Sequence, residues 1–201
     1  MKKIFFDTET TGLSPGQIGQ LSMIIEEDTG ELSARNYFFQ IDYITADAER
    51  VCGRGLEFYK EASKGLKFKD YADELFSIFS NSTLIAHNLK FDENFLSAEF
   101  WRENLVFKPA DRFDTMAYFK EVCKIPDRTG RKYKNPKLEE LVDYFKIDKD
   151  KVLEYSKKLF NSSDDVSFHD ARFDTTAMFV AFQMYKETLY NKSDWKNYFS
   201  L

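Results

Sequence analysis

The sequence predicts an α/β protein in which helices flank a mixed β-sheet. Two patterns carry this prediction: three strand-like segments follow one another near the N-terminus, and strand-like and helix-like segments alternate after them. The chain has 201 residues, and one domain usually holds about 100 to 200. We therefore expect a single domain over residues 1–201.

The first three strands are predicted from β-branched and aromatic runs that end at turn residues. They cover residues 3–8, 20–26 and 34–41. A loop is expected near Gly53 and Gly55, followed by a helix that begins at about Lys69.

From residue 83 onward the predicted elements alternate. We expect a short strand over residues 83–86 and helices over 89–103, 114–122, 136–145, 148–158 and 170–190. Apolar residues recur in the helical segments at spacings of three and four, which is typical of helices that bury one face. The helix over 148–158 is expected to lie on the surface.

Composition narrows the functional classes. The 29 Lys and Arg against 34 Asp and Glu give a net charge of −5, which taken alone argues against a nucleic-acid partner because phosphate contacts need cations. No apolar run approaches the roughly 20 residues of a membrane span. Cys52 and Cys123 are too few for a disulfide framework. We therefore expect a cytoplasmic protein that does not bind membranes.

Asp7 and Glu9 lie at the end of the first predicted strand. Side chains alternate along a strand, so these two carboxylates project from the same face. They repel each other unless a cation lies between them. Two solvated acids at a strand end are the simpler interpretation of this pair alone.

Two further acids lie on predicted helices. Asp92 is in the first turn of its helix, on the face of Phe95 and Leu96, although an acid there also favours the helix dipole. Asp174 is the one charge in an otherwise apolar stripe. A buried carboxylate costs several kcal/mol unless it is paired, so its partner is either a buried cationic side chain or a metal ion.

His169 precedes Asp174 at the start of the last helix. A mobile residue there can reach the rim of a site and act as a general base, and an ordinary solvent-exposed residue fits that position equally well. Carboxylates with one His favour Mg²⁺ or Mn²⁺ over zinc. Two such ions about 4 Å apart can clamp the attacking and leaving oxygens of a phosphodiester.

These motifs together resemble those of the DEDD exonucleases, a superfamily that includes the proofreading subunits of bacterial replicative DNA polymerases. The resemblance rests on Asp7-Thr8-Glu9, His87-Asn88 with Asp92, and His169 with Asp174, and it extends over residues 3–187. It implies an RNase H-like fold with a mixed five-stranded sheet, and stepwise 3′-to-5′ release of nucleoside 5′-monophosphates with two Mg²⁺ or Mn²⁺ ions. The implied metal ligands are Asp7, Glu9, Asp92 and Asp174, and His169 is the implied general base of the His branch.

The resemblance also implies substrate contacts. Thr8, Thr10 and Leu13 would hold the 3′-terminal nucleotide, and His87 and Asn88 belong to a motif that supports the site. Single-stranded DNA is the favoured substrate, and a DNA polymerase or another replication or repair protein is a candidate partner. An exoribonuclease and a non-catalytic module that binds nucleic acid or a polymerase remain open as alternatives.

Three segments add features beyond the motifs. Residues 120–137 hold seven Lys and Arg against two acids, which fits either a solvated loop or a track for a phosphate backbone on which Tyr133 stacks. Residues 147–167 predict an additional helix near the site. The tail over 191–201, with Trp195, Tyr198 and Phe199, is expected to pack on the core, and docking on another protein is the alternative.

Overall fold

A computed structural model of the chain describes the backbone of residues 1–189 and the side chains of residues 1–186. The predicted helix end near Tyr190 and the tail over 191–201 lie outside the described residues.

A single mixed sheet forms the centre of the described structure. Its strands are β1 (Lys3–Thr10), β2 (Ile18–Glu26), β3 (Leu32–Phe38), β4 (Thr83–Ala86) and β5 (Asp111–Asp114). The spatial order is β3-β2-β1-β4-β5. The strand β2 runs antiparallel to β1 and β3, whereas β4 and β5 run parallel to β1. The prediction of a mixed five-stranded sheet is confirmed.

Helices cover both faces of this sheet. They are α1 (Ala46–Cys52), α2 (Leu56–Ala62), α3 (Ala72–Phe79), α4 (Leu89–Arg102), α5 (Thr115–Cys123), α6 (Leu138–Tyr144), α7 (Lys149–Phe160) and α8 (Ala171–Leu189), with a 3-10 turn over Phe68–Tyr71 before α3. Within the described residues, no helix is both long and apolar enough to cross a membrane.

The central strand β1 is packed on both faces. Ile4 and Phe6 are buried in the cluster formed with α3 and α4, whereas Phe5 is buried in the cluster formed with α8. The rings of Phe5 and Phe179 meet edge to face with centroids 4.9 Å apart. Each buried Phe contributes about 1.5 to 3 kcal/mol, so the C-terminal end of β1 is held in a fixed position.

Several predicted boundaries need correction. The strand β3 ends at Phe38, three residues before the predicted end. The predicted loop near Gly53 and Gly55 is present, but it lies between the helices α1 and α2, which were not predicted. No residue of α1 is buried, so this helix has no apolar stripe that would predict it. The strand β5, with the sequence DRFD, is absent from the prediction because it lacks an alternating pattern.

The additional helix predicted within residues 147–167 is present as α7. Its surface position is only half right, because Val152, Tyr155 and Ser156 are buried on the side that faces α8. The Asp148 side chain caps the helix by accepting hydrogen bonds from the backbone of Asp150 and Lys151 at 3.0 and 3.4 Å.

Candidate active site

Three predicted acids meet where β1 ends beside the first turn of α8. Asp7, Glu9 and Asp174 each offer a carboxylate oxygen, and these oxygens lie within 4.8 Å of one another. The helix α8 packs directly on β1 and β2, and the fully buried Ala171 and Ala177 allow the close approach. The fold therefore brings together acids that are far apart in the sequence.

Asp92 lies beside this group, fixed by Thr8. Its carboxylate is 2% exposed, and Oδ1 accepts hydrogen bonds from the Thr8 backbone N–H at 3.0 Å and from Thr8 Oγ1 at 2.7 Å. Burial raises the pKa of Asp92 to about 7, against the lowering effect of the Thr8 bonds. Thr8 is predicted as a substrate contact; its hydroxyl is committed to Asp92, so in this structure it positions that acid.

Burial and mutual repulsion raise the pKa values of the four acids. Burial raises the pKa of Asp174 to about 8, and repulsion by Asp170 adds to this effect. Burial and the neighbouring carboxylates also raise the pKa values of Asp7 and Glu9 well above the usual range, while Arg54 opposes the shift at Glu9. Such an acid cluster gains free energy from any multivalent cation placed among its oxygens.

The donor set fits a hard divalent cation. Oδ1 of Asp174 is buried and has no hydrogen-bond partner within the described structure, although a buried oxygen of this kind is normally satisfied. All the candidate ligand atoms are carboxylate oxygens, the type that Mg²⁺ and Mn²⁺ prefer. The residues present are therefore suited to bind such ions.

His169 lies at the rim of the acid cluster. It is exposed, its φ is +70°, and its backbone N–H donates to Asp174 Oδ2 at 3.2 Å. A left-handed backbone is uncommon outside glycine, and here it turns the chain into α8. The structure thus places His169 next to the metal-ligand candidates, as predicted.

Asp170, which follows His169, anchors this turn. Its Oδ1 accepts from the backbone N–H of Arg172 at 2.9 Å and from Gln20 Nε2 at 3.1 Å. Its Oδ2 forms an ion pair with Arg54, and the cationic partners hold its pKa down at about 2 despite its burial. Sequence reasoning missed this network, because Arg54 lies 116 residues from Asp170.

A cleft of about 690 Å³ opens beside Glu9. One wall is the segment 8–14, and the other is formed by Tyr43 and α1, with Phe91 of α4 also lining it. Ligand sites typically measure about 300 to 1,000 Å³, so the cleft can hold a nucleotide.

The predicted residues Thr10 and Leu13 both line this cleft. The Leu13 side chain is 91% exposed, and the Thr10 hydroxyl donates to the Gly12 carbonyl at 3.0 Å. The opposite wall from α1 was not predicted, since only the cap residues Thr45 and Gly53 mark that helix in the sequence.

His87 and Asn88 lie where β4 turns into α4. The His87 ring is engaged on both sides, with Nδ1 3.0 Å from Thr115 Oγ1 and Nε2 3.0 Å from the Pro136 carbonyl. No ring nitrogen is left for a substrate, which agrees with a supporting role and not with the predicted substrate contact. Asn88 is exposed and has a φ of 75°, so its side chain remains accessible.

A mixed five-stranded sheet that gathers four acids beside a nucleotide-sized cleft defines an RNase H-like domain of the nuclease class. The chain belongs to the exonuclease (RNase T) family, whose sequence profile matches residues 4–152. This match confirms the predicted resemblance to the exonuclease family. His169 and Asp174 lie beyond the matched residues.

Similar proteins agree with this assignment. The chain is 39% identical over 108 residues to the DNA polymerase III subunit epsilon of Rickettsia felis, an alignment that covers 49% of this chain and 44% of the relative. It is 28% identical over 120 residues to the PolC-type DNA polymerase III of Mycoplasmopsis pulmonis, covering 56% of this chain and 8% of the relative. The matched part thus spans less than half the length of these curated relatives.

The fold is shared with solved exonuclease structures. E. coli exonuclease I in complex with a 5cy-dT13 oligonucleotide superimposes with a TM-score of 0.70 at 17% identity, covering 96% of this chain and 42% of that chain. Exonuclease X in complex with 5′ overhanging duplex DNA gives a TM-score of 0.59 at 16% identity and covers 92% and 93% of the two chains. At these identities the likeness confirms the RNase H-like fold.

Proposed function

We propose that the protein is a metal-dependent 3′-to-5′ exonuclease that removes nucleoside 5′-monophosphates from single-stranded DNA. The observation that carries this proposal is the acid cluster of Asp7, Glu9 and Asp174, with its unpartnered buried oxygen, at the mouth of a nucleotide-sized cleft. We further propose that residues 1–201 act as one exonuclease domain, with motifs over 3–187.

The metal ligands in this proposal are Asp7, Glu9, Asp92 and Asp174. Two Mg²⁺ or Mn²⁺ ions, when bound, supply charge stabilisation to the reacting phosphate and acidify a water molecule. The chain itself supplies fixed positions, since β1 is buried on both faces and Thr8 orients Asp92.

His169 is the proposed general base. It takes a proton from the attacking water as the water oxygen bonds to phosphorus, and the bond from phosphorus to the 3′ oxygen of the penultimate nucleotide breaks. That oxygen takes a proton from solvent and becomes the new 3′ hydroxyl. The exposed position of His169 beside Asp174 supports this role, because a base must reach the water and later return its proton to solvent.

The cleft provides the proposed site for the 3′-terminal nucleotide. Thr10 lies where the terminal sugar would be placed, and the exposed Leu13 side chain offers an apolar surface to the base. Asn88 is the remaining candidate contact. Single-stranded DNA is favoured because a structural neighbour holds a dT13 oligonucleotide and a relative is a DNA polymerase III subunit.

The same relative supports a second part of the proposal, namely that the chain works in the cytoplasm with a DNA polymerase. Gel filtration of the chain mixed with the polymerase subunit from the same source tests this part. A shared peak supports it, and separate elution at micromolar concentrations of both proteins argues against it.

The activity is tested with 5′-labelled twelve-nucleotide DNA and RNA strands in Mg²⁺, Mn²⁺ or EDTA. A ladder that shortens from the 3′ end with metal and is absent in EDTA is the expected result, with faster decay of DNA than of RNA. Faster decay of RNA supports the exoribonuclease alternative. Intact strands in both metals contradict the exonuclease proposal, and binding of these intact strands would support a non-catalytic binding module.

Two variants test the residue roles. His169→Gln should lower kcat about 100-fold or more, in line with the usual contribution of a general base, while KM changes little. Asp73→Asn, an exposed acid in the first turn of α3, is the matched control and should keep full activity. Unchanged turnover of the His169 variant removes that residue from the mechanism.

A further inference from the structure

Residues 125–134 form a short hairpin between α5 and α6. The Lys134 backbone N–H donates to the Ile125 carbonyl at 2.9 Å, and the Asp127 N–H donates to the Lys132 carbonyl at 2.8 Å. Between these bonds Pro126 and Tyr133 form an antiparallel bridge. We call this segment the basic hairpin.

The turn of the basic hairpin does not depend on its cations. Asp127 Oδ1 accepts from Thr129 N–H at 2.9 Å and from Thr129 Oγ1 at 2.7 Å. Gly130 has a φ of 68° and meets no atom that would crowd a side chain. Neutral residues in place of the cations should therefore leave the hairpin folded.

Three cations on the hairpin point into solvent without a counter-charge. Arg128, Arg131 and Lys132 are exposed, and none of them forms an ion pair within the described residues. The neighbouring Lys134 differs, since it pairs with Glu140. Unpaired cations on one turn repel each other, so the hairpin gains free energy from an anionic partner.

The segment that follows the hairpin returns to the catalytic edge of the sheet. The Pro136 carbonyl lies 3.0 Å from His87 Nε2, and the charge of Glu139 contributes to the raised pKa of Asp174. At its other end the hairpin follows α5, whose first residue, Thr115, donates to the Ala86 carbonyl at 3.1 Å.

The strand order places the hairpin opposite the cleft. The cleft lies by the end of β1 and by α1, which follows β3, whereas the hairpin follows β5 on the other edge. A strand with its 3′ nucleotide in the cleft and its scissile phosphate at the acids therefore continues in the 5′ direction toward the hairpin.

We propose that Arg128, Arg131 and Lys132 bind phosphates of the single strand on the 5′ side of the scissile bond, beyond the nucleotides that flank that bond. This inference rests on the proposed exonuclease function and adds to it a second contact region that short substrates do not reach.

The test compares a twelve-nucleotide strand with a dinucleotide, which is too short to reach the hairpin. The substrate ratio is the kcat/KM for the twelve-nucleotide strand divided by the kcat/KM for the dinucleotide. In the triple variant Arg128→Gln, Arg131→Gln, Lys132→Gln, this ratio should fall about tenfold or more. The slope of log kcat/KM against log salt for the long strand should decrease by about 2, since each phosphate contact contributes about 0.7.

The matched control is Lys2→Gln, Lys108→Gln, Lys186→Gln, which removes the same charge at the opposite end of the sheet. It should keep the substrate ratio within twofold of the wild-type value. The proposal is overturned if the hairpin variant keeps the wild-type substrate ratio or loses activity equally on both substrates. It is also overturned if the loss is confined to duplex substrates, or if the control variant shows the same loss.

Binding in EDTA separates this inference from the proposed function. Fluorescence anisotropy with a labelled twelve-nucleotide strand requires no hydrolysis. Suppose that the wild-type chain hydrolyses no strand in Mg²⁺ or Mn²⁺ but binds the strand in EDTA, and that the hairpin variant binds it at least tenfold more weakly. The exonuclease proposal then fails and the hairpin contact stands. Equal binding by both overturns the hairpin contact.

Discussion

Replacing Asp174 by Asn should stabilise the metal-free protein. The unfolded carboxyl has a pKa near 3.8, and the folded one has a pKa of about 8. At pH 7 the carboxyl must therefore take up a proton when the chain folds. This pH lies about three units above the unfolded pKa, so the uptake costs about 4 kcal/mol at 1.36 kcal/mol per unit. Asn carries no charge and keeps an oxygen that can accept from His169 N–H. We expect it to recover about half of this cost, because its amide donors gain only part of their partners.

The sign of the pH dependence follows from the raised pKa. The wild-type chain keeps the contribution of Asp174 to the free energy of unfolding below about pH 4 and loses it progressively as the pH rises to about 8. The Asp174→Asn variant lacks this loss. The free energy of unfolding of this variant should exceed that of the wild-type chain only slightly at pH 5 and by about 2 kcal/mol at pH 7. The difference at pH 7 corresponds to about 4 to 8 °C in Tm for a chain of this size.

Thermal unfolding in EDTA at several pH values measures the effect. Saturating Mg²⁺ should reverse the order, since a bound ion stabilises the folded wild-type chain by mass action and the variant has lost a ligand. Asp73→Asn serves as the surface control, with a change within about 0.5 kcal/mol. A Tm of the Asp174→Asn variant at or below the wild-type value in EDTA at pH 7 refutes the reasoning.

Three further substitutions test other parts of the structure. Thr8→Val removes the 2.7 Å bond to Asp92 and should raise the Mg²⁺ concentration for half-maximal hydrolysis about tenfold; an unchanged metal titration would contradict the positioning role. Leu13→Ala should raise KM for single-stranded DNA about fivefold, because an apolar contact with the base is lost. It should leave Tm unchanged, because the side chain is 91% exposed. Steady-state kinetics measures the first effect and a melting curve the second. Gly19→Ala places a Cβ 2.6 Å from the buried Tyr59 ring and should cost about 1 to 3 kcal/mol in urea unfolding, and full stability would show that the ring can move.

The acids of the site could be predicted because each belongs to a short local pattern. Asp7 and Glu9 follow strand alternation, and the stripe around Asp174 follows helical spacing. The hydrogen bonds and ion pairs around these acids could not be predicted, because they join segments that are distant in the sequence. The Thr8 bonds to Asp92 cross 84 residues, and no local pattern reports such a pair.

The same distinction explains the errors in the fold. The strands β1, β2 and β4 could be located because they are apolar and buried, whereas β5 is polar and gains its place only by pairing with β4. The helix α1 could not be predicted because none of its residues is buried, so it has no apolar stripe. Its cap residues, Thr45 and Gly53, are of types that are also common in loops. The fold class could nevertheless be predicted, because the succession of strands and helices and the motif resemblance do not depend on these two elements.

The ion pair between Arg54 and Asp170 joins the wall of the cleft to the turn that carries His169. Arg54 follows α1, the outer wall of the cleft, and Asp170 directly follows His169 at the start of α8. The Arg54 guanidinium also lies over the Phe58 ring, 4.9 Å from its centroid, so it cannot swing freely. In the proposed exonuclease, we therefore expect the width of the cleft and the position of the His169 backbone to be coupled through this ion pair.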